Sequence, residues 1–98
     1  MVRWGLIVEE VVSWGQGQRW GARLLAEMGG TREEALAALW HHAYSYKPRH
    51  PTSPQGRLVF READGFLVIN KGATADYPCR FKIAELLWDT SRQGPWGQ

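Results

Sequence analysis

The chain predicts an α+β fold: an antiparallel sheet of about five strands in the order β-β-α-β-β-β, one amphipathic helix packed on one face, and room for a short final helix. Three observations carry this. Two apolar runs, Leu58-Val59-Phe60 and Phe66-Leu67-Val68-Ile69, flank Ala63-Asp64-Gly65, a strong short-range hairpin signal because Gly tolerates the positive φ of tight connections. Thr31-Arg32-Glu33-Glu34 matches a capping box and so opens a helix. β-branched or alternating stretches lie on either side of that helix.

The first strand is read over 4–14, where Leu6-Ile7-Val8 and Val11-Val12 surround Glu9 and Glu10 before the turn Gly15-Gln16-Gly17. In the second, Trp20, Ala22, Leu24, Ala26 and Met28 alternate with Arg19, Arg23 and Glu27, placing the apolar set on one face, although its Leu-Ala-Glu content also suits a helix. Gly29-Gly30 breaks it. In the helix, Leu36, Leu39, Trp40, Ala43 and Tyr44 or Tyr46 recur at helical spacing, with Arg32, Glu33, Ala37 and His41 turned outward, until Pro48 ends it. Three prolines make 47–56 a loop. After the hairpin, 72–78 reads as a connection and Cys79, Phe81 and Ile83 as a short fifth strand, while 84–89 suits either its continuation or a helical turn. The domain is expected over 1–90, with a tail over 91–98.

Width then matters. Five strands at ~4.8 Å make a sheet ~24 Å wide, and one helix covers only ~10–12 Å of it. Val59, Phe60, Leu67, Ile69, Trp14 and Trp88 cannot all find shelter under a single helix, and large exposed apolar patches mark contact surfaces. Self-association is the simplest cover, since symmetric dimers are the commonest soluble oligomers. The alternative is a tightly curled sheet with the tail folded over it through Trp88 or Trp96.

Composition narrows the function classes. With 44% apolar and 22% charged residues the chain is of ordinary globular make-up, and six Trp are its outlier. Net charge is +2, from nine Arg and three Lys against ten acids, without the dense basic stripe of most nucleic-acid binders. A single cysteine excludes an internal disulfide and favours a reducing compartment. With no signal-like N-terminus and no apolar run of ~18 residues, a cytoplasmic protein with no membrane role is expected.

Motifs for chemistry are weak. His41 and His42 point ~100° apart on a helix and cannot chelate one ion together, and His50 brings no carboxylate at ligand spacing. Cys79 falls on the side of Phe81 and Ile83, where burial makes a thiol inert. Glu10 with Glu62 or Glu85 is a conceivable cross-strand acid-base pair that no spacing demands. Neither a catalytic residue, nor a metal ligand, nor a cofactor is assigned.

Three fragments, Thr31-Arg32-Glu33-Glu34-Ala35-Leu36-Ala37-Ala38-Leu39, Asp64-Gly65-Phe66-Leu67-Val68 and the stretch from Cys79-Arg80-Phe81 to Ala84-Glu85-Leu86-Leu87-Trp88-Asp89, resemble small uncharacterised actinobacterial proteins. The resemblance implies no activity, ligand or site residue.

The expectation is therefore a small non-enzymatic interaction or regulatory accessory module, homodimeric or bound to another protein. Its contact residues are drawn from Trp4, Trp14, Trp20, Trp88, Tyr44, Tyr46 and Arg49, because Trp, Tyr and Arg dominate interface energetics. Two alternatives stand beside it. One is a nucleic-acid-binding accessory protein using Tyr46, Lys47, Arg49, His50 and Arg57, which combine aromatics with cations. The other is a small-molecule-binding protein or enzyme with a pocket between helix and sheet near Trp40 and His42.

Overall fold

The computed structural model describes residues 1–13, 19–48 and 54–91, the side chains of 12 and 13 excepted. Its elements are β1 (Arg3–Ser13), β2 (Arg19–Gly29), α1 (Arg32–Ser45), β3 (Gly56–Glu62), β4 (Gly65–Lys71) and β5 (Asp76–Glu85). All strands join one antiparallel sheet in the order β2-β1-β5-β4-β3, so the fold is α+β with the element order the sequence predicts.

The last strand lies in the middle. Flanked by β1 and β4 and roofed by α1, β5 buries Cys79, Phe81 and Ile83 in alternation. It starts at Asp76, earlier than expected, and runs through Pro78. Pairing to β1 stops at Glu10↔Cys79, so Pro78 has only β4 beside it, an edge-like position where a missing N–H is tolerated. Ala84 and Glu85 continue the strand, and the short final helix does not form among the described residues. Just past the strand's end, the Leu86 amide donates to the Arg3 carbonyl at 2.8 Å, which prolongs the extended course beside β1.

Helix α1 begins as predicted. Thr31 Oγ1 accepts from the Glu34 amide at 3.1 Å and Glu34 Oε1 accepts from the Thr31 amide at 2.8 Å, satisfying two amides that a helix start leaves open. Its buried residues are Ala35, Leu39 and Ala43, which meet Leu6, Val8, Val68 and Phe81 of the sheet. This stripe is narrower than the predicted one. Alanines at the contact let the helix sit close, and Trp40 and Tyr44 are pushed to its flank, where both are exposed.

In β2 the register differs from simple alternation. Leu6 pairs with Ala26 but Ile7 with Leu24, so Leu25 is an extra residue, a β-bulge. Because a slip of one residue turns every following side chain to the other face, Trp20, Ala22 and Leu24 share the face of Ile7, Glu9 and Val11, whereas Ala26 and Met28 pack on the helix side with the core. The five residues expected on one face are divided between two.

The hairpin forms with Glu62 opposite Gly65 across Ala63 and Asp64. Its glycine is needed for space and not for a positive φ, which is found at Gly30 and Gly56 instead. A Cβ on Gly65 would collide with the Phe81 carbonyl oxygen and lie 2.8 Å from Lys82 Cα.

Candidate interaction surface

One face of the sheet carries α1 and the other carries no element among the described residues. Paired residues of adjacent strands share a face, so the registers give the rows of the open side. One set runs Leu58, Ile69 and Pro78 on the β3 side, with Val11 facing Trp20 on the β2 side. The next runs Phe60, Leu67, Arg80, Glu9 and Ala22, and a third runs Glu62, Gly65, Lys82, Ile7 and Leu24. All five residues of the first set are apolar. Trp20 and Leu24 are 48% and 52% exposed on β2, and Leu58 and Phe60 are 47% and 51% exposed on β3.

The charges between them are already paired. Arg80 Nε and Nη2 donate to the Glu62 carboxylate at 2.8 and 3.3 Å, and Lys82 Nζ lies 3.5 Å from Glu9 Oε2. Half-exposed pairs of this kind stabilise the monomer by no more than about 1 kcal/mol. Their consequence here is a neutral central strip that could be covered without stranding a charge.

On the helix side, α1 leaves β3 uncovered, and a groove of about 670 Å³ runs between them, lined by Leu36, Ala37 and Trp40 of α1, Arg61 of β3 and Phe66 of β4. Trp40 stands edge-on to Phe66 at 5.2 Å and beside Tyr44 at 6.3 Å. Arg32, at one end, donates to the Ala63 carbonyl and, at 3.1 Å, to Asp64 Oδ1. This is the helix-sheet pocket expected near Trp40; His42 is not among its walls.

A polar network sits toward the other end of the helix. Tyr46 Oη donates to Glu10 Oε2 and accepts from Arg23 Nη2 at 2.9 Å, while Asn70 Nδ2 donates to the Tyr77 carbonyl at 3.0 Å and to Cys79 Sγ at 3.5 Å. The Cys79 thiol points at Glu10 Oε1, 3.9 Å away. Burial, reinforced by the nearby Glu10 charge, pushes that thiol up to about 11. Burial and the bond to Glu10 also raise the Tyr46 phenol. A thiol protonated at neutral pH is a weak nucleophile, and no buried polar side-chain atom among the described residues lacks a partner. The network joins the end of the helix to the sheet.

The conceivable cross-strand carboxylate pairs do not form: Glu10 faces Tyr46, Glu62 faces Arg80 on the opposite side of the sheet, and Glu85 stands opposite Trp4 at the far end of β1. Among the described residues no three His, Cys, Asp or Glu side chains gather as metal ligands, and no helix is long and apolar enough to cross a membrane.

The predicted contact residues scatter. Trp20 is on the open face, Tyr44 is 73% exposed on the helix flank, and Trp88 is 54% exposed beyond β5. Trp4 is part of the core shell, its Nε1 donating to the Gly30 carbonyl at 3.0 Å, and Tyr46 packs edge-on against Phe81 at 5.4 Å. Trp14, Arg49 and His50 lie outside the described residues, as does Trp96 of the expected tail. Of the nucleic-acid set, Lys47 is exposed, while Arg57 donates to the Ala43 and Tyr44 carbonyls at 2.7 and 3.0 Å, capping the helix end. Leu24, Leu58 and Phe60, the most exposed apolar residues of the open face apart from Trp20, were not in the predicted set. Their signal was alternation beside Glu62 and Arg23, but only strand order puts them on the two edges.

Compared with known proteins, the chain matches no family model, no curated sequence and no solved structure.

Proposed function

We propose that this protein is a small non-enzymatic interaction module that works as a homodimer joined through its open sheet face. One observation carries the reading: every strand offers an apolar residue to the open side, Leu58, Ile69, Pro78, Val11 and Trp20, with the large edge side chains about half exposed and the adjoining charges neutralised in pairs. Area agrees with it. A sheet ~24 Å wide with strands overlapping over ~24 Å offers roughly 600 Å² of plan area, so two copies face to face cover about 1,200 Å², the lower bound of stable interfaces. Sheets pack face to face at ~10 Å, a spacing that Leu, Ile and Phe side chains fill.

Sedimentation equilibrium tests this. The wild type is expected at twice its chain mass of 11.2 kDa, and Leu24→Lys or Phe60→Lys at the chain mass with unchanged circular dichroism. A wild type that sediments at the chain mass at high concentration refutes the dimer.

A further inference from the structure

The outer backbone edge of β3 and the groove behind it lie beside the open face but are not part of it. Of the exposed apolar residues Leu58, Val59 and Phe60, the first and last face the open side and Val59, 42% exposed, faces the helix side. Since β3 is the last strand of the sheet, its outer backbone amides and carbonyls face no strand among the described residues, and an unpaired edge is a template for another strand. Arg57, Val59 and Arg61 pair with Asn70, Val68 and Phe66, which places them on the helix side, where Arg61 lines the groove and Arg57 lies under the helix C-terminus.

Charge selects the occupant. Arg32 is matched by Asp64 and Glu62 by Arg80, so Arg61 is the cation of the groove without a partner among the described residues. Arg57 donates to two carbonyls at the helix C-terminus, which offset part of its charge and hold it beneath the helix, and no carboxylate among the described residues pairs with it. Glu33, the remaining carboxylate of the wall, stands in the first turn of α1, where helix amides offset it. Thus two guanidinium groups, four residues apart on one strand face, bracket Val59. A second copy of β3 is a poor match: in the antiparallel register that overlaps the whole strand, Arg57 falls opposite Arg61, and like charges directly opposite destabilise.

We infer that β3 takes up an extended peptide segment of another protein by strand addition, with the segment's two acidic residues, four apart, facing Arg57 and Arg61 and an apolar residue between them packing on Val59 toward the Trp40 ledge. Main-chain hydrogen bonds supply affinity in this mode, and alternate side chains supply specificity.

The probe is a fluorescent acetylated peptide of core Glu-Thr-Val-Thr-Glu, with Lys-Thr-Val-Thr-Lys as its control, titrated into the full chain by anisotropy and mapped by amide hydrogen exchange. The acidic peptide should bind about tenfold tighter than the basic one, weaken with salt, and slow exchange in 56–62. Arg61→Glu, at an exposed position with no partner among the described residues, should remove or invert that preference. Leu24→Lys, on the opposite edge strand, should leave peptide binding intact whatever it does to self-association, which separates this inference from the dimer. Equal binding of both peptides, an Arg61→Glu protein with unaltered preference, or protection confined to β2 would overturn it. So would protection of 56–62 that grows with protein concentration in the absence of peptide, since that would mean a second copy occupies the edge.

Discussion

At the residue scale, Gly65 and Cys79 show what burial beside a central strand demands. Gly65 lies against the β5 backbone, where an added methyl group has no side chain to push aside, only the Phe81 carbonyl and the Lys82 Cα. Gly65→Ala should therefore cost about 2–3 kcal/mol, seen as a lower urea midpoint. Gly56→Ala meets no atom within 4 Å and suffers only from its φ of +158°, so about 1 kcal/mol is expected. Cys79 sets a pH dependence. Its thiol is raised from 9.0 to about 11 in the folded chain, so folding favours the protonated form. That contribution is complete below pH 9.0 and is lost as the pH climbs from 9.0 to about 11, on the order of 2 kcal/mol at the end. Urea midpoints measured across this range should fall, and Cys79→Ala should flatten the fall, leaving the part due to Tyr46, whose phenol is also raised by burial.

At the scale of elements, the hairpin, the capped helix and the element order were legible because each is written in a few adjacent residues. Thr31 and Glu34 satisfy each other's amides whatever surrounds them, and Ala63-Asp64-Gly65 turns the chain between two apolar runs. The bulge at Leu25 was not legible, because its cause is the partner strand: Leu6 and Ile7 belong on opposite faces, and only the count of residues facing them in β2 shows the extra one. The same holds for Arg57, which sequence groups with Lys47 and Arg49 as loop charge and the fold sets beneath the helix C-terminus, closing carbonyls that α1 leaves open. Arg57→Ala should cost about 1 kcal/mol in thermal unfolding. Arg57→Lys should recover little of it, since an ammonium does not offer the planar fork that meets two carbonyls at once.

For the whole molecule, the width argument and the strand order meet on one consequence. Placing β5 in the centre sends β2 and β3 to the edges, so Trp20 and Leu24 on one and Leu58 and Phe60 on the other lie far from the helix and stay about half exposed. In a monomer such side chains contribute little to stability, since they gain only part of the ~1.5–3 kcal/mol of full burial. In a dimer they would be covered. Stability should then depend on concentration, because association that favours only the folded form raises Tm by mass action. Calorimetry across a hundredfold range of protein concentration should show Tm rising for the wild type and constant for Phe60→Lys, the two curves converging at the dilute end. Fluorescence of the wild type should move to the blue over the same range, as Trp20 on the rim leaves water. If instead Phe60→Lys lowers Tm equally at every concentration, Phe60 stabilises the single chain and the open face is not where two copies meet.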